Sequence, residues 1–257
     1  MSLGKLIGVG VGPGAPDLLT LRALNVLRSV PVLALPRGND FGASVAWDII
    51  KTHLAAETSQ ERLFLTFPMV HEPARLKRAW SHAQAVIGER LMKGLDVAFA
   101  TEGDPSLFSS FIYLKDAAPQ LWPGVQVEVV PAVSSITAVP AVAGVALADG
   151  QERIAILPGT CGLDDLQDAL ERFDTIVLMK VGGAMPHVVD CLTKAGLLER
   201  AVYVSRATMA EQRIVRDLTT VQAQRGDCFA MVVIAKKERN GVLRGDVPRL
   251  DGIVYES

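Results

Sequence analysis

The first 131 residues alternate between two hydrophobic periods. Short runs rich in valine, leucine and alanine predict buried strands at 5–11, 30–36, 62–68, 96–101 and 125–131. Between them, apolar residues three or four positions apart predict helices, the strongest running from Pro73 to about Lys93, where Gly94 ends it. Strands that alternate with helices predict a mainly parallel sheet covered on both faces.

The second half begins with the same alternation of predicted strands and helices, and this pattern then changes. Strands are predicted at 153–157 and 174–180, with helices near 163–172 and 186–195. Three further apolar runs, at 201–205, 213–218 and 229–235, have only loops or turns between some of them, which favours antiparallel pairing. We therefore predict two α/β domains, residues 1–131 with a mainly parallel sheet and residues 132–257 with a mixed sheet.

One segment, residues 129–148, carries no charge and is long enough to cross a bilayer. It contains two prolines, a glycine and mostly small side chains. We interpret it as the end of a buried strand, a loop and a closely packed helix, and expect no membrane insertion.

Composition narrows the function classes. The 26 basic and 28 acidic residues give a net charge of -2, which argues against nucleic acid as a partner. The three cysteines form no CxxC pair and the four histidines no HxxxH pattern, so neither a disulfide framework nor a metal site is expected. No signal peptide is indicated, and we expect a reducing, cytoplasmic location.

The first site-like segment is the glycine- and proline-rich loop at 8–17. A GxGxxG fingerprint fails here, because its last glycine would fall on Pro13 or on Ala15. A phosphate-binding GxxxxGK[ST] loop is also absent from the sequence. What remains is either an ordinary strand-to-helix turn or a ligand loop at the carboxyl end of a parallel strand.

Two more loops follow predicted strands of the same sheet. In the segment 101–106, Glu102 and Asp104 flank Gly103, and Ser106 is expected to cap the next helix. These acids suit a cationic or hydroxyl-bearing ligand, although a capped loop with solvated acids is an equal alternative. The segment 131–135 opens a helix with small hydroxyl residues. Because all three loops leave one edge of the sheet, we expect a binding site there.

Five ordered motifs between about residues 5 and 236 resemble those of the tetrapyrrole methylases, which are S-adenosylmethionine-dependent enzymes of sirohaem and cobalamin synthesis. The motifs are VGVGPGAPDLLTLRAL, EGDPSLFSS, VEVVPAVSSITAVPAVAGVAL, DTIVLMKVG and RATMAEQRIVRDL. Departures from the usual family pattern are Ala15, where an aspartate is common, and Ala132, where a glycine is common.

The resemblance implies two α/β domains with S-adenosylmethionine folded into the cleft between them, S-adenosylhomocysteine as the product, and a homodimer. Matching the motifs residue by residue gives the expected cofactor contacts: Pro13, Glu102, Gly103, Asp104, Leu107, Ser134, Ser135, Lys180, Ala207, Ala230 and Met231. Lys180 occupies a position where many family members have methionine.

Within the family, the segments LFLTFPMVHEPARLKRAW, GDPSLFSSFIYL and VLMKVGG resemble most the branch that methylates C20 of precorrin-2. Three alternatives stay open: methylation of the cobalt-containing acceptor, methylation of another tetrapyrrole such as uroporphyrinogen III, and a non-catalytic domain that only binds the donor.

Methyl transfer from an activated sulfonium mainly requires that donor and acceptor be aligned, so no nucleophile is expected. A base that removes the C20 proton is not singled out, and the candidates are Asp104, His71 and Tyr113. A tetrapyrrole rimmed with carboxylates calls for local basic residues, for which the candidates are Arg37, Arg75, Lys77 and Arg78. A solvated helix face explains the last three about equally well.

Overall fold

The computed structural model describes residues 2–54, 59–68, 70, 72–221 and 229–237. These residues form two compact units. The first unit contains the described residues up to Gly144 together with Val204–Ile214, and the second contains Val145–Tyr203 and the described residues from Val215 onward.

The first unit is built on a five-stranded parallel sheet in the order β3-β2-β4-β1-β5. Its strands are β1 (Leu6–Gly10), β2 (Val32–Arg37), β3 (Glu61–Thr66), β4 (Val97–Thr101) and β5 (Val127–Val130). The helices of this unit are α1 (Leu21–Ser29), α2 (Val45–Ile50), α3 (Pro73–Met92), α4 (Ser110–Leu121) and α5 (Ser135–Ala143). The predicted parallel α/β architecture is confirmed.

Helices cover both faces of this sheet because side chains of successive strand residues point to opposite sides. Ile7 of β1 packs in a core with Leu27 of α1 and Ile49 of α2. Its neighbour Leu6 packs on the other face, in the core that contains Ile87 of α3. Burial on both faces explains why β1 and β4 are buried along their whole length.

Hydroxyl side chains cap the starts of α1 and α4, and the second cap corrects the prediction from the sequence. Thr20 caps α1 by accepting a hydrogen bond from the Ala23 N–H at 3.2 Å. The expectation that Ser106 caps the helix after β4 is wrong, because α4 starts later and Ser109 accepts from the Phe111 N–H at 3.1 Å. Ser106 instead donates its hydroxyl to Asp104, which keeps it in the loop.

The uncharged segment 129–148 divides as interpreted from its composition. It supplies the end of β5, a loop and α5, which ends at Gly144 in the left-handed conformation. Among the described residues, no helix combines the length and apolarity that crossing a membrane requires.

The second sheet is mixed, with strand order β6-β7-β10-β8-β9. Its strands are β6 (Ile154–Pro158), β7 (Thr175–Met179), β8 (Ala201–Ser205), β9 (Arg213–Val215) and β10 (Ala230–Ala235). β6 and β7 are parallel, whereas β10 runs antiparallel to β7, as predicted for the later strands. Helices α6 (Leu163–Arg172) and α7 (Met185–Lys194) pack on the core that includes Leu178 of β7.

The compact units divide at residue 144, whereas the sequence places the domain boundary at 131. The two divisions differ by the loop after β5 and by α5. That loop is tied to the first unit, because the Ala132 N–H donates to the Asp104 side chain at 2.9 Å.

Candidate functional site

Three loops leave neighbouring strands at the carboxyl edge of the first sheet. β1 lies between β4 and β5, with Gly10 beside Thr101 and Val9 beside Val130. The loops that follow these strands, 11–15, 102–106 and 131–134, therefore start side by side. In open α/β sheets this edge is where ligands bind.

The backbone joins the first loop to the second. The Val11 N–H donates to the Thr101 carbonyl at 2.9 Å, and the Gly103 N–H donates to the Gly12 carbonyl at 2.8 Å. Gly12 returns a longer bond of 3.4 Å to the Gly103 carbonyl. Beyond the parallel pairing of β1 with β4, Gly12 and Gly103 thus form an antiparallel bridge that fixes the two glycine-containing segments against each other.

Gly10 allows all three loops to approach closely. A Cβ atom on this residue would lie 2.5 Å from the Ala132 Cβ, 2.7 Å from the Gly103 carbonyl oxygen and 2.8 Å from the Pro105 Cδ. No side chain fits in that space. The glycine is therefore required by packing and not by the backbone angles of a turn.

Asp104 connects the second loop to the third. Its Oδ2 accepts from the Ala132 N–H at 2.9 Å, and its Oδ1 accepts from the Ser106 N–H at 2.9 Å as well as from the Ser106 hydroxyl. Partial burial would raise the pKa of Asp104, but the bonds from Ser106 and Ala132 outweigh it and hold the pKa below its ordinary value. A carboxylate used in this way is suited to holding the loops and poorly suited to accepting a proton.

Gly103, in the second loop, borders open space, which we call the Gly103 cradle. It has φ +64°, and a Cβ atom would meet nothing within 4 Å. Adding a side chain would fill this cradle without touching protein atoms. Of the residues expected to contact the cofactor in these loops, Pro13 is buried, and Glu102 and Leu107 are half-buried.

The third loop leads into the first turn of α5. Ser134 is the N-cap, and its Oγ accepts from the Ile136 N–H at 3.3 Å. The Thr137 hydroxyl donates to the Ser134 carbonyl at 3.0 Å. Ser134 and Ser135 are both half-buried, so this helix start is a polar wall next to the other two loops.

The expected cofactor residues from later in the chain fall into two places. Ala207 is buried and belongs to the first unit. Lys180, Ala230 and Met231 belong to the second unit, where the structure brings them together: the Val181 N–H donates to the Ala230 carbonyl at 3.1 Å, and Met231 pairs with Met179.

Lys180 is exposed and has φ +61°, an uncommon conformation for a residue with a side chain. It borders a pocket of about 460 Å³ at the carboxyl ends of β6 and β7, whose lining includes Thr160, Cys161 and His187. Such strain concentrates at functional positions, which is consistent with the role expected for this residue.

The candidate acceptor residues lie near the carboxyl edge of the first sheet. Arg37 ends β2, and its Nε donates to the Thr66 Oγ1 at 3.1 Å. Arg75, Lys77 and Arg78 are exposed near the start of α3, and Arg78 lies 3.9 Å from Glu72. Arg37 is thus held in a defined position, whereas the other three lie on a solvated helix face.

The candidate bases differ in what the structure shows of them. Tyr113 is 68% exposed on α4, and its ring packs edge-on against Trp80 at a centroid distance of 5.7 Å. His71 lies outside the described residues. No group of three or more histidine, cysteine, aspartate or glutamate side chains within the described ranges could hold a metal ion.

One contact at this edge could not be predicted from the sequence. Ala15 donates its N–H to the Thr208 Oγ1 at 3.0 Å, across a separation of 193 positions. No local pattern marks such a pair. The nearest signal in the sequence is the motif RATMAEQRIVRDL, from which the family resemblance implies a cofactor contact at Ala207.

The sequence matches the model of the tetrapyrrole (corrin/porphyrin) methylase family over residues 5–222. It is 34% identical over 237 residues to the cobalt-precorrin-2 C(20)-methyltransferase of Salmonella typhimurium, covering 91% of this chain and 97% of that protein. It is 31% identical over 222 residues to the precorrin-2 C(20)-methyltransferase of a Sinorhizobium species, covering 81% and 86%.

The fold is also similar to that of solved proteins. The uroporphyrin-III C-methyltransferase of Thermus thermophilus, crystallised with S-adenosylhomocysteine, superposes with a TM-score of 0.63 at 22% identity. The alignment covers 91% of this chain and 98% of that one. At this identity the likeness concerns the fold.

Proposed function

The chain belongs to the tetrapyrrole methylase family, and from this membership we propose that it transfers a methyl group from S-adenosylmethionine to C20 of precorrin-2, giving precorrin-3A in cobalamin biosynthesis. The structural observation that carries the proposal is the open space beside Gly103, next to three loops that are hydrogen-bonded to one another. This cradle suits a donor recognised by shape and backbone contacts.

Bound S-adenosylmethionine supplies a methyl group that is already activated as a sulfonium. In the transfer, the S–CH3 bond breaks, a C–C bond forms at C20, and the C20 proton leaves. The protein's task is to hold donor and acceptor in line and to exclude water, which accounts for loops built of small residues.

The residues proposed to hold the donor lie in the three loops and at the later positions that the family resemblance implies. Gly103 and Pro13 offer backbone and close approach, Ser134 and Ser135 offer hydroxyls, and Asp104 keeps the loops in place. The family resemblance adds Lys180, Ala207, Ala230 and Met231 to the proposed donor contacts. For the C20 proton, the lowered pKa of Asp104 disfavours that residue and leaves Tyr113 as the described candidate.

The acceptor is proposed to be held through its carboxylates. Arg37 is the leading residue, because the Thr66 hydroxyl fixes one edge of its guanidinium and carboxylates bind the planar fork of arginine in pairs of hydrogen bonds. Arg75, Lys77 and Arg78 would extend the positive charge along the start of α3.

The cobalt-containing form of precorrin-2 is the second candidate acceptor. It is favoured by one observation, since the Salmonella relative named for that substrate covers more of this chain at higher identity than the Sinorhizobium relative. Both acceptors carry the same rim of acids, so Arg37 would serve either one.

A cytoplasmic homodimer completes the proposal. The described cysteines Cys161 and Cys191 are unpaired, which suits a reducing compartment. The dimer is an expectation from the family resemblance, and light scattering at micromolar concentration tests it.

The activity test uses S-adenosylmethionine with a ¹³C-labelled methyl group. Purified protein is incubated in parallel with metal-free precorrin-2, its cobalt form and uroporphyrinogen III, and products are analysed by mass spectrometry and ¹³C NMR. We expect one added methyl group, at C20, with one or both precorrin-2 forms. Methylation of uroporphyrinogen III alone would contradict the proposed acceptor, and donor binding without turnover would indicate the non-catalytic alternative.

The binding test places the donor. Ser134→Trp fills the space beside the cradle, while Ser134→Ala removes the same helix cap without adding bulk. We expect calorimetry to show that only the tryptophan variant loses S-adenosylhomocysteine affinity. Equal affinity in both variants would move the donor away from this loop.

A further inference from the structure

A short turn between β8 and β9 holds unusual backbone conformations. Arg206 and Thr208 have φ values of +50° and +66°, and Ala207 lies buried between them. The Met209 N–H donates to the Arg206 carbonyl at 3.0 Å, which makes Thr208 the third residue of a turn. A positive φ at that position favours glycine or asparagine and is rare for a β-branched residue.

The side chain of Thr208 makes a contact that glycine could not. Its Oγ1 accepts from the Ala15 N–H at 3.0 Å. The Thr208 N–H in turn donates to the Gln212 Oε1 at 2.7 Å, and the Gln212 N–H donates to the Met209 carbonyl at 3.1 Å. Gln212 therefore holds the backbone of Thr208, while the Thr208 hydroxyl binds the backbone of the first loop.

The turn also touches the first loop through Gly14. A Cβ atom there would lie 2.5 Å from the Met209 Cγ and 3.1 Å from the Ala207 carbonyl oxygen. A side chain at Gly14 would therefore meet the Met209 side chain and the Ala207 carbonyl oxygen, so the loop lies close against the turn. The hydroxyl bond to Ala15 lies one residue further along the same contact.

We propose that Thr208 is a positioning residue of the methyl-donor site. Its hydroxyl locks the 11–15 loop against the 206–209 turn, so that Pro13 and the Ala207 backbone keep a fixed spacing for the adenosine-bearing donor. The inference rests on the proposed function for the identity of that ligand. The lock itself is a property of the first unit, to which both segments belong.

Three substitutions separate the hydroxyl from the strain. Thr208→Val keeps the β-branched shape and the backbone strain and removes only the acceptor. Thr208→Ser keeps the acceptor, and Thr208→Gly removes both the acceptor and the strain. Thr193→Val is the matched control, since its hydroxyl bonds to the Val189 carbonyl on the exposed side of α7.

The first measurement is hydrogen exchange of the Ala15 amide in the protein without ligand. We expect faster exchange in Thr208→Val and Thr208→Gly, and wild-type protection in Thr208→Ser and Thr193→Val. This readout does not depend on what the protein binds. Unchanged protection in Thr208→Val would overturn the lock even if the protein is a methyltransferase.

The second measurement is S-adenosylhomocysteine affinity together with KM for each substrate. Losing the lock should weaken donor affinity about tenfold, as expected for one hydrogen bond, with little change in the tetrapyrrole KM. Thr208→Ser should restore affinity to within about twofold of wild type. Thr208→Gly should bind as weakly as Thr208→Val while melting no lower than wild type, because it relieves strain.

The outcomes remain distinct from those of the proposed function. If wild-type protein fails to bind S-adenosylhomocysteine, the proposed function fails while the amide exchange still tests the lock. If wild type binds and the valine and glycine variants bind equally well, the positioning role is wrong while the function stands.

Discussion

The Asp104 carboxylate accepts a hydrogen bond from the backbone N–H of Ala132 at 2.9 Å, and this bond spans the edge strand β5 and the strand β4 on the far side of β1. It explains how two loops separated by a helix and a strand keep one geometry. The Asp104 carboxylate therefore has a structural role in holding these two loops together.

Replacing Asp104 with asparagine should therefore weaken both the fold and the donor site. An amide presents a donor to one of the N–H groups that the carboxylate accepts, so we expect a loss of about 2 kcal/mol in the free energy of unfolding. Affinity for S-adenosylhomocysteine should fall as the loops separate. Ser106→Ala, which removes one hydroxyl donor and leaves the Ala132 bond, should cost about 1 kcal/mol.

Urea unfolding and calorimetry on the two variants test this assignment. Wild-type stability with reduced turnover in Asp104→Asn would instead give this aspartate a purely chemical role.

Gly10 and Gly103 should respond differently to alanine. Gly10→Ala forces a Cβ against three neighbouring groups, and we expect a loss of about 3 kcal/mol from overpacking. Gly103→Ala meets no atoms but keeps an unfavourable φ, which costs about 1–2 kcal/mol, and its methyl group enters the cradle. It should therefore stay folded and bind S-adenosylhomocysteine poorly.

The control for Gly103→Ala is Gly196→Ala. Gly196 has φ +66° and open space around its Cβ position, but it lies after α7 in the second unit. Both variants should lose similar stability in thermal melts. If Gly196→Ala reduces donor affinity as much as Gly103→Ala does, the cradle is not the donor site.

The local pattern of apolar residues predicted the strands and most helices. For the strands, burial on both faces leaves uninterrupted apolar runs, as in β1 and β4. It also predicted the three loops, since strand ends in a parallel sheet share one edge. It predicted Ser106 as the cap of α4 and missed Ser109, because both serines precede the same apolar helix. Asp104 decides that choice by binding Ser106.

Contacts between segments far apart in the chain could not be predicted from the sequence. The bond from Ala15 to Thr208 and the packing of Gly14 against Met209 depend on how the chain returns to the first unit after β8. The Ala132 bond to Asp104 is another such contact, because the end of a strand does not signal it.

Asp174 gives the second unit an acid-sensitive contact. Its Oδ2 accepts from the Arg153 N–H at 2.8 Å and its Oδ1 lies 2.9 Å from the Lys237 Nζ, and these partners lower its pKa to about 2. A lowered pKa means that the stabilisation is complete above the ordinary value of 3.8 and is lost as pH falls toward 2.

Thermal melts of wild type and Asp174→Asn between pH 7 and pH 2 test this. The difference in Tm should be largest at neutral pH and should shrink below about pH 4. Asp168→Asn, which breaks an exposed pair with Arg172 at 2.6 Å, should shift Tm little at any pH. A constant difference for Asp174→Asn across the whole range would contradict the titration of this carboxylate.

Arg37 should distinguish the two substrates. Its side chain is 24% exposed, its Nε is held by Thr66, and Asp40 lies 4.0 Å away, so the guanidinium is positioned without being fully neutralised. Arg37→Ala should raise the tetrapyrrole KM about tenfold and leave donor KM and kcat near wild type, because it removes an interaction made equally in ground and transition states.

Raising the ionic strength from 0.1 M to 1 M shortens the screening length from about 10 Å to about 3 Å, so the tetrapyrrole KM should rise with salt far more than the donor KM. Arg172→Ala, an exposed arginine on α6, is the control and should change neither KM. If salt and Arg37→Ala affect both substrates equally, the acceptor carboxylates are not bound at the end of β2.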